Sequence, residues 1–198
     1  MITKHLEKKS IYFRLYIYSI LKKYIYGFLG RDRCLIIYIK PKNILSVLTF
    51  FKYDSIISVK SLLDIAVLDS PNYMKHKGRF VLNYVFLNYI YEYRFIIKIL
   101  TDGLNPLFSI NKLYSSSNWL EREVWDMFGI KFLFHTGLRR ILTDYGFKGH
   151  PLRKDFPLIG YFDIFYDDSI QSIALSWVET SQILRFYKFE NPWNKWKI

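Results

Sequence analysis

The run Arg79–Leu100, RFVLNYVFLNYIYEYRFIIKIL, limits the fold more than any other part of the chain. In its second half Tyr93, Phe95, Ile97 and Ile99 alternate with Arg94 and Lys98, and a period of two puts the two sets on opposite faces of a strand. The spacing predicts two long antiparallel strands around a turn near Asn88 to Glu92. The second strand should bury one face and wet the other. The first strand is apolar on both faces and belongs inside a sheet.

The flanking segments read as companions to that pair. From Leu6 to Phe28 the positions Ile11, Leu15, Tyr18, Ile25 and Leu29 recur at spacings of three, four and seven, which predicts a helix stopped by Gly27 or Gly30. That helix is either a core-packing element, a basic membrane-surface helix or a retained targeting segment; its pattern fits all three. Cys34–Ile39 is a short β-branched run read as a buried strand. Pro41 then opens a helix through about Phe51, where its missing N–H is not needed. Ser61–Leu68 is a second strand in which Leu63, Ile65 and Val67 alternate with Asp64 and Ala66, followed by the loop Asp69–Asn72. After Pro157, Tyr161–Tyr166 and Ile170–Val178 read as a hairpin around Asp167-Asp168-Ser169, and Thr180–Phe189 as a short helix. The expected class is α+β: a small mixed or antiparallel sheet with packed helices, followed by an extended C-terminal segment. The expected organisation is a globular domain at 1–118, a charged segment at 119–158, and a hairpin and tail at 159–198.

Composition narrows the functional classes. The chain is 51% hydrophobic and 20% aromatic, which argues against global disorder, while alanine occurs only at Ala66 and Ala174. Such usage is what an AT-rich, organelle-like coding sequence produces. The net charge is +12, and residues 1–60 hold twelve Lys or Arg against Glu7, Asp32 and Asp54. A basic face of this kind meets nucleic acid, anionic lipid or an acidic protein, and charge alone does not choose among them. Cys34 is the only cysteine, so neither an intrachain disulfide nor a Cys-built metal cage is available. The longest early apolar run, Leu15–Leu21, falls far short of the ~20 residues that span a bilayer. No secretory signal is visible.

The segment Trp119–Leu158 concentrates the chemistry. Seven cations (Arg122, Lys131, Arg139, Arg140, Lys148, Arg153, Lys154) stand among five carboxylates (Glu121, Glu123, Asp126, Asp144, Asp155). Asn118 and Glu121 have the form of a capping box starting a helix at Trp119, with Leu120, Val124 and Met127 on one face, Arg122 and Asp126 paired at i, i+4, and Gly129 as the stop. Glu121 and Glu123 point about 200° apart around that helix, so they cannot form a paired acid/base site. His135 and His150 lack the i, i+4 spacing of helical zinc ligands and read as hydrogen-bonded structural residues. No serine lies in a nucleophile elbow, and Gly146, Gly149 and Gly160 form no phosphate-binding pattern. Arginine forks suit bidentate carboxylate contacts, either within one domain or across an interface.

The order of ERE at Glu121–Glu123, DMFGI at Asp126–Ile130, His135, LRRILTDYGF at Leu138–Phe147 and GHPLRKDFPL at Gly149–Leu158 closely resembles the signature of one family. It is the soluble core subunit of proton-pumping NADH:ubiquinone oxidoreductase, respiratory complex I, known as subunit 9 when encoded in mitochondrial DNA, together with its bacterial counterpart. The resemblance implies an α+β domain and an extended C-terminal part that clamps neighbouring subunits of the quinone module, chiefly the 49-kilodalton-type subunit. It implies a place on the matrix side of the mitochondrial inner membrane, with indirect membrane association, no homo-oligomer and no nucleic acid; the biased composition, with no recognisable presequence, favours mitochondrial encoding over import, a bacterial homologue being the alternative. No cofactor would be bound by this chain, since FMN and the iron–sulfur clusters reside in other subunits, in accord with a single cysteine.

Interface residues are expected among Glu121, Arg122, Glu123, Asp126, His135, Arg139, Arg140, Asp144, Tyr145, His150, Arg153, Lys154 and Asp155, together with Trp193 and Trp196 of the tail. Those tryptophans either dock on a partner or fold back on their own domain. One departure stands out. Relatives carry His-Pro-Asp before LRRI, whereas His135-Thr136-Gly137 loses the proline and the carboxylate, so any ion pair of that Asp is not carried over and the loop gains freedom. The rival readings are an organellar RNA-binding or ribosomal protein, which would account for +12 and the aromatics, and a small hydrolase using His135 or His150.

Overall fold

The computed structural model describes residues 2–31, 34–71, 78–185 and 187. It divides into two compact units, Met1–Phe156 and Pro157–Ile198. The first is built on a five-stranded sheet. In chain order its elements are α1 (Ile2–Leu21), β1 (Ile25–Arg31), β2 (Cys34–Ile39), α2 (Ile44–Tyr53), β3 (Ser61–Asp69), β4 (Phe80–Asn88), β5 (Tyr93–Thr101), β6 (Leu107–Phe108), α3 (Ser117–Phe128) and β7 (Phe132–Leu133). The sheet order is β1-β2-β5-β4-β3, antiparallel except for the β2–β5 pair.

The alternation that singled out Arg79–Leu100 places the core. Tyr93, Phe95, Ile97 and Ile99 of β5 are buried beside Leu35, Ile37 and Ile39 of β2 and Leu82, Tyr84 and Phe86 of β4. Helices cover this inner face: Phe13 of α1 stacks edge-on against Phe95, and Phe51 of α2 does so from its own side. α3 completes the layer, where Phe128 meets Phe80. The Pro41 helix forms as expected, with a 3-10 turn at Pro41–Asn43 leading into α2.

Three expectations for α1, β1 and β3 need correction. The N-terminal helix ends at Leu21, and Ile25–Arg31, expected within or at its end, forms edge strand β1 against β2. The stripe that marked the helix is also not the one packed in the core. Ile11, Leu15 and Tyr18 are 48%, 63% and 45% exposed, whereas Phe13, Ile17 and Leu21, also at helical spacing, are buried. A helix apolar on most sides offers several stripes, and packing against β5 chose the one carrying the phenylalanine. In β3, a register shift between Leu62 and Asp64 turns Leu63 outward and buries Leu62 in its place.

The second unit holds the hairpin β8 (Phe162–Asp167) and β9 (Ser172–Trp177), paired Phe162↔Trp177 through Asp167↔Ser172. Thr180–Arg185 is bends and irregular chain, not the expected helix; the remainder of that expected helix, with Trp193 and Trp196, lies outside the described residues apart from Tyr187. Among the described residues no helix is long and apolar enough to cross a membrane.

Candidate functional site

The charged segment is organised around the two ends of α3. At its C-terminus, four backbone carbonyls of a helix ordinarily lack partners, and here each finds one. Gly129 N–H donates to Trp125 O, His150 Nδ1–H to Asp126 O at 2.9 Å, Leu152 N–H to Met127 O, and Arg153 Nε to Phe128 O. The sequence GHPLR therefore wraps the helix end. Gly129 has φ +75°, and a Cβ there would lie 2.6 Å from His150 Nε2, so glycine serves both the left-handed cap and the approach of the imidazole.

Asp126 lies inside this wrap and is fully buried. One carboxylate oxygen accepts the N–H groups of Ile141, Leu142 and Thr143 at 3.1, 2.9 and 3.0 Å. The other accepts the Thr143 hydroxyl at 2.6 Å and Arg140 Nη1 at 2.8 Å. Burial alone would raise its pKa, but the Thr143 hydroxyl and the three N–H groups outweigh it and hold the carboxyl well below the usual range. Arg140 also donates to Gly149 O at 3.0 Å and lies over the rings of Trp125 and Phe147. The LRRILTD loop is thus fastened to α3 by one buried carboxylate. Burial and the neighbouring Arg153 and Arg140 depress the His150 pKa against the opposing pull of Asp126 O, to which its Nδ1–H donates.

Near the N-terminus of α3 the expected capping box is replaced. Ser116 is the N-cap residue, its hydroxyl donating to Leu62 O instead of capping the helix, and Glu121 turns inward. Its fully buried carboxylate accepts the Ser109 hydroxyl at 2.6 Å and Ile110 N–H at 2.8 Å, which ties β6 to α3. Burial raises its pKa to about 7 against the pull of those donors. His135 Nε2 donates to Asn118 O at 3.2 Å and stands 3.9 Å from Glu121, while its Nδ1 accepts Gly137 N–H. Thr136 Oγ1 accepts Asn111 Nδ2.

A third cluster joins the segment to the sheet. Arg79 binds Asp69 at 2.7 Å and Asp155 at 2.9 Å, and Lys154 N–H donates to Asp69 at 2.8 Å. Asp155 therefore pairs with Arg79, 76 positions away in sequence, rather than with Arg153 or Lys154 beside it. The Arg79 interaction lowers the pKa of both carboxylates. Similarly Asp126 pairs with Arg140, not with Arg122 at i−4; Arg122 donates instead to Arg139 O.

The residues marked by the sequence thus separate into two sets. Glu121, Asp126, Arg140, His150, Arg153 and the side chain of His135 make contacts within the chain, and Asp155 does so through Arg79. Arg139, Asp144, Tyr145 and Lys154 are exposed, and Arg122 and Glu123 half-buried. Sequence reading missed Asp69, Arg79, Ser109 and Thr143, whose partners are distant in the chain; only Thr143, within LRRILTD, carried a local signal. Among the described residues no group of three His, Cys, Asp or Glu could hold a metal ion.

The hairpin presents a different surface. Its pairing puts Phe162, Ile164, Tyr166, Ile173, Leu175 and Trp177 on one face, all 50% to 73% exposed, and Asp163, Phe165, Asp167, Ser172, Ala174 and Ser176 on the other. At its base Pro157, Leu158, Tyr161, Trp177 and Leu184 line a groove of 470 Å³.

Two solved structures share the fold. A trypsin-resistant fragment of Nqo5 matches 63% of this chain and 97% of its own, with a TM-score of 0.52 and 24% identity. A chain of the membrane-bound sulfane sulfur reductase, an archaeal respiratory membrane complex, matches 74% and 86% with a TM-score of 0.61, also at 24% identity. The model of the respiratory-chain NADH dehydrogenase 30 Kd subunit matches residues 37–162. NADH-ubiquinone oxidoreductase subunit 9 of Prototheca wickerhamii is 44% identical over 158 residues, 80% of this chain and 81% of its own. The corresponding protein of Reclinomonas americana is 40% identical over 164 residues, covering 83% and 79%. That of Acanthamoeba castellanii is 43% identical over 159 residues, covering 80% and 79%. The chain belongs to the 30-kilodalton subunit family of the respiratory-chain NADH dehydrogenase.

Proposed function

We propose that the chain is a core subunit of the peripheral arm of proton-pumping NADH:ubiquinone oxidoreductase, holding its quinone module together while other subunits carry FMN, the iron–sulfur clusters and the chemistry. The observation that carries the assembly role is the six-residue apolar face of the hairpin. A two-stranded ribbon is marginal by itself in water, and covering a large apolar side chain stabilises by about 1.5–3 kcal/mol. A neighbouring subunit is the cover, chiefly the 49-kilodalton-type subunit. Of the charged segment, the exposed Arg139, Asp144, Tyr145 and Lys154 are the residues placed to cross the boundary, while Asp126 and Arg140 hold the surface that presents them. The matrix side of the mitochondrial inner membrane and mitochondrial encoding fit the composition and the subunit 9 relatives.

Native electrophoresis of solubilised membranes, stained for NADH dehydrogenase activity, tests the reading. The chain is expected in the active high-mass band. Its consistent absence from that band, or its migration with ribosomal particles, would sink the assignment.

A further inference from the structure

All three helices of the first unit lie on the inner face of its sheet, and among the described residues no helix covers the outer face. Register identifies what that face carries. Leu29, Ile36, Ile96 and Val85 form one row across β1, β2, β5 and β4, and Leu100, Val81 and Leu68 form another across β5, β4 and β3. Leu29 and Leu68 are 46% and 56% exposed, Val81, Val85, Ile96 and Leu100 are half-buried, and Ile36, at the middle of the first row, is buried. Between the rows stands Lys98, its ammonium over the Tyr38 ring, and Arg94 lies beyond Ile96. Neither cation is in any of the ion pairs formed among the described residues. A sheet face meant only for water alternates toward polar residues; this one is apolar along two rows, the first ending in Asp64 on β3, and carries Lys98 beside Asn83 between them.

We infer that the outer sheet face is a docking surface for an amphipathic helix of a neighbouring subunit, apolar at two positions and bearing a carboxylate between them. The dimensions match. Ile96 and Leu100 are four residues apart on β5, about 13 Å, which a helix spans in about eight residues, with the position near i+4 falling opposite Lys98. A helix is also the layer that completes an α/β sandwich over an open sheet. Lys98 sets the partner's charge, because an uncompensated ammonium at the centre of an apolar contact is unfavourable and a carboxylate offsets it. The same position argues against a bilayer, which accommodates cations at the rim of an apolar patch, where they reach the headgroups. This inference rests on the chain's place in a multi-subunit enzyme and names a surface apart from the hairpin.

The test introduces the photo-crosslinking residue p-benzoylphenylalanine at Ile96 or at Leu100, in separate full-length chains, and maps the products in the active high-mass band. Both positions should crosslink to one helical segment of a neighbouring subunit, at sites about eight residues apart with an Asp or Glu between them. Lys98→Glu should lower the amount of assembled enzyme about tenfold, the equivalent of about 1.4 kcal/mol. Lys98→Gln, which keeps most of the stem, should lower it less, and Leu104→Glu, at an 87% exposed position off the sheet, should not change it. Thermal unfolding of the isolated variants separates loss of docking from loss of folding. Crosslinks to lipid, to a second copy, to this chain itself or to nothing, in a band that contains the chain, overturn the inference and leave the subunit assignment standing. Absence of the chain from the band overturns both.

Discussion

The charged segment at 119–156 and the hairpin at 162–177 use opposite chemistry for opposite ends. The first holds five carboxylates, four guanidinium groups and two histidines and joins most of them to each other or to backbone, so that Asp126 receives five donors and every C-terminal carbonyl of α3 has a partner. The second has no cation, carries only the carboxylates Asp163, Asp167 and Asp168, and leaves six large apolar side chains of one face in water. Density of ionisable residues therefore marks the internal fastening of this molecule, and unsatisfied apolar surface marks where it meets others. A buried charge left unpaired costs far more than an exposed one, so the loops around α3 are held to one geometry.

The largest effect expected from breaking this contrast is at Asp126. Asp126→Ala strands Arg140 and three N–H groups and should destabilise the chain by about 3–5 kcal/mol, measured by denaturant unfolding; a loss under about 1 kcal/mol would show that the wrap does not depend on this carboxylate. An intermediate effect is expected at Glu121, with pH as the variable. Burial raises its folded pKa to about 7 from 4.5, so the folded chain binds more protons than the unfolded one between those values. Its contribution to stability is most favourable below about 4.5 and is lost as pH rises toward about 7. Asp126 has the reverse sign: its folded pKa is depressed, so its contribution is present at neutral pH and is lost as pH falls through the acid range. Glu121→Gln should remove the first dependence and be more stable than the parent at about pH 8 by about 1–3 kcal/mol; equal pH slopes for parent and variant would contradict the buried, raised carboxyl. The smallest effect on folding is expected in the hairpin. Leu175→Glu should change the stability of the chain by less than about 0.5 kcal/mol while depleting the assembled enzyme, and unchanged assembly would remove the hairpin face from the interface.

Local periodicity made the sheet legible, because alternation in β5 and the apolar β4 have one consistent arrangement. Periodicity failed where two answers were equally periodic. Ile11-Leu15-Tyr18 and Phe13-Ile17-Leu21 are both helical stripes, and only packing on Phe95, 82 positions beyond Phe13, decides between them. The same holds for the site. Gly129 as a helix stop and structural roles for His135 and His150 could be read from local sequence. The partners of Glu121, Asp126 and Asp155 could not, since each had a plausible neighbour in sequence and took a distant one: Ser109, Arg140 and Arg79. Family resemblance marked the segment as important without telling inward charges from outward ones.

Arg139 and Arg140, adjacent in sequence, test that division most directly. The first is exposed and the second binds buried Asp126. Each is replaced by Glu in the full chain, and thermal unfolding is measured beside the amount of enzyme in the active high-mass band. The account predicts that Arg140→Glu lowers the melting temperature sharply, while Arg139→Glu melts as the parent does and yet depletes the band. Equal destabilisation by the two, or normal assembly with Arg139→Glu, would contradict it.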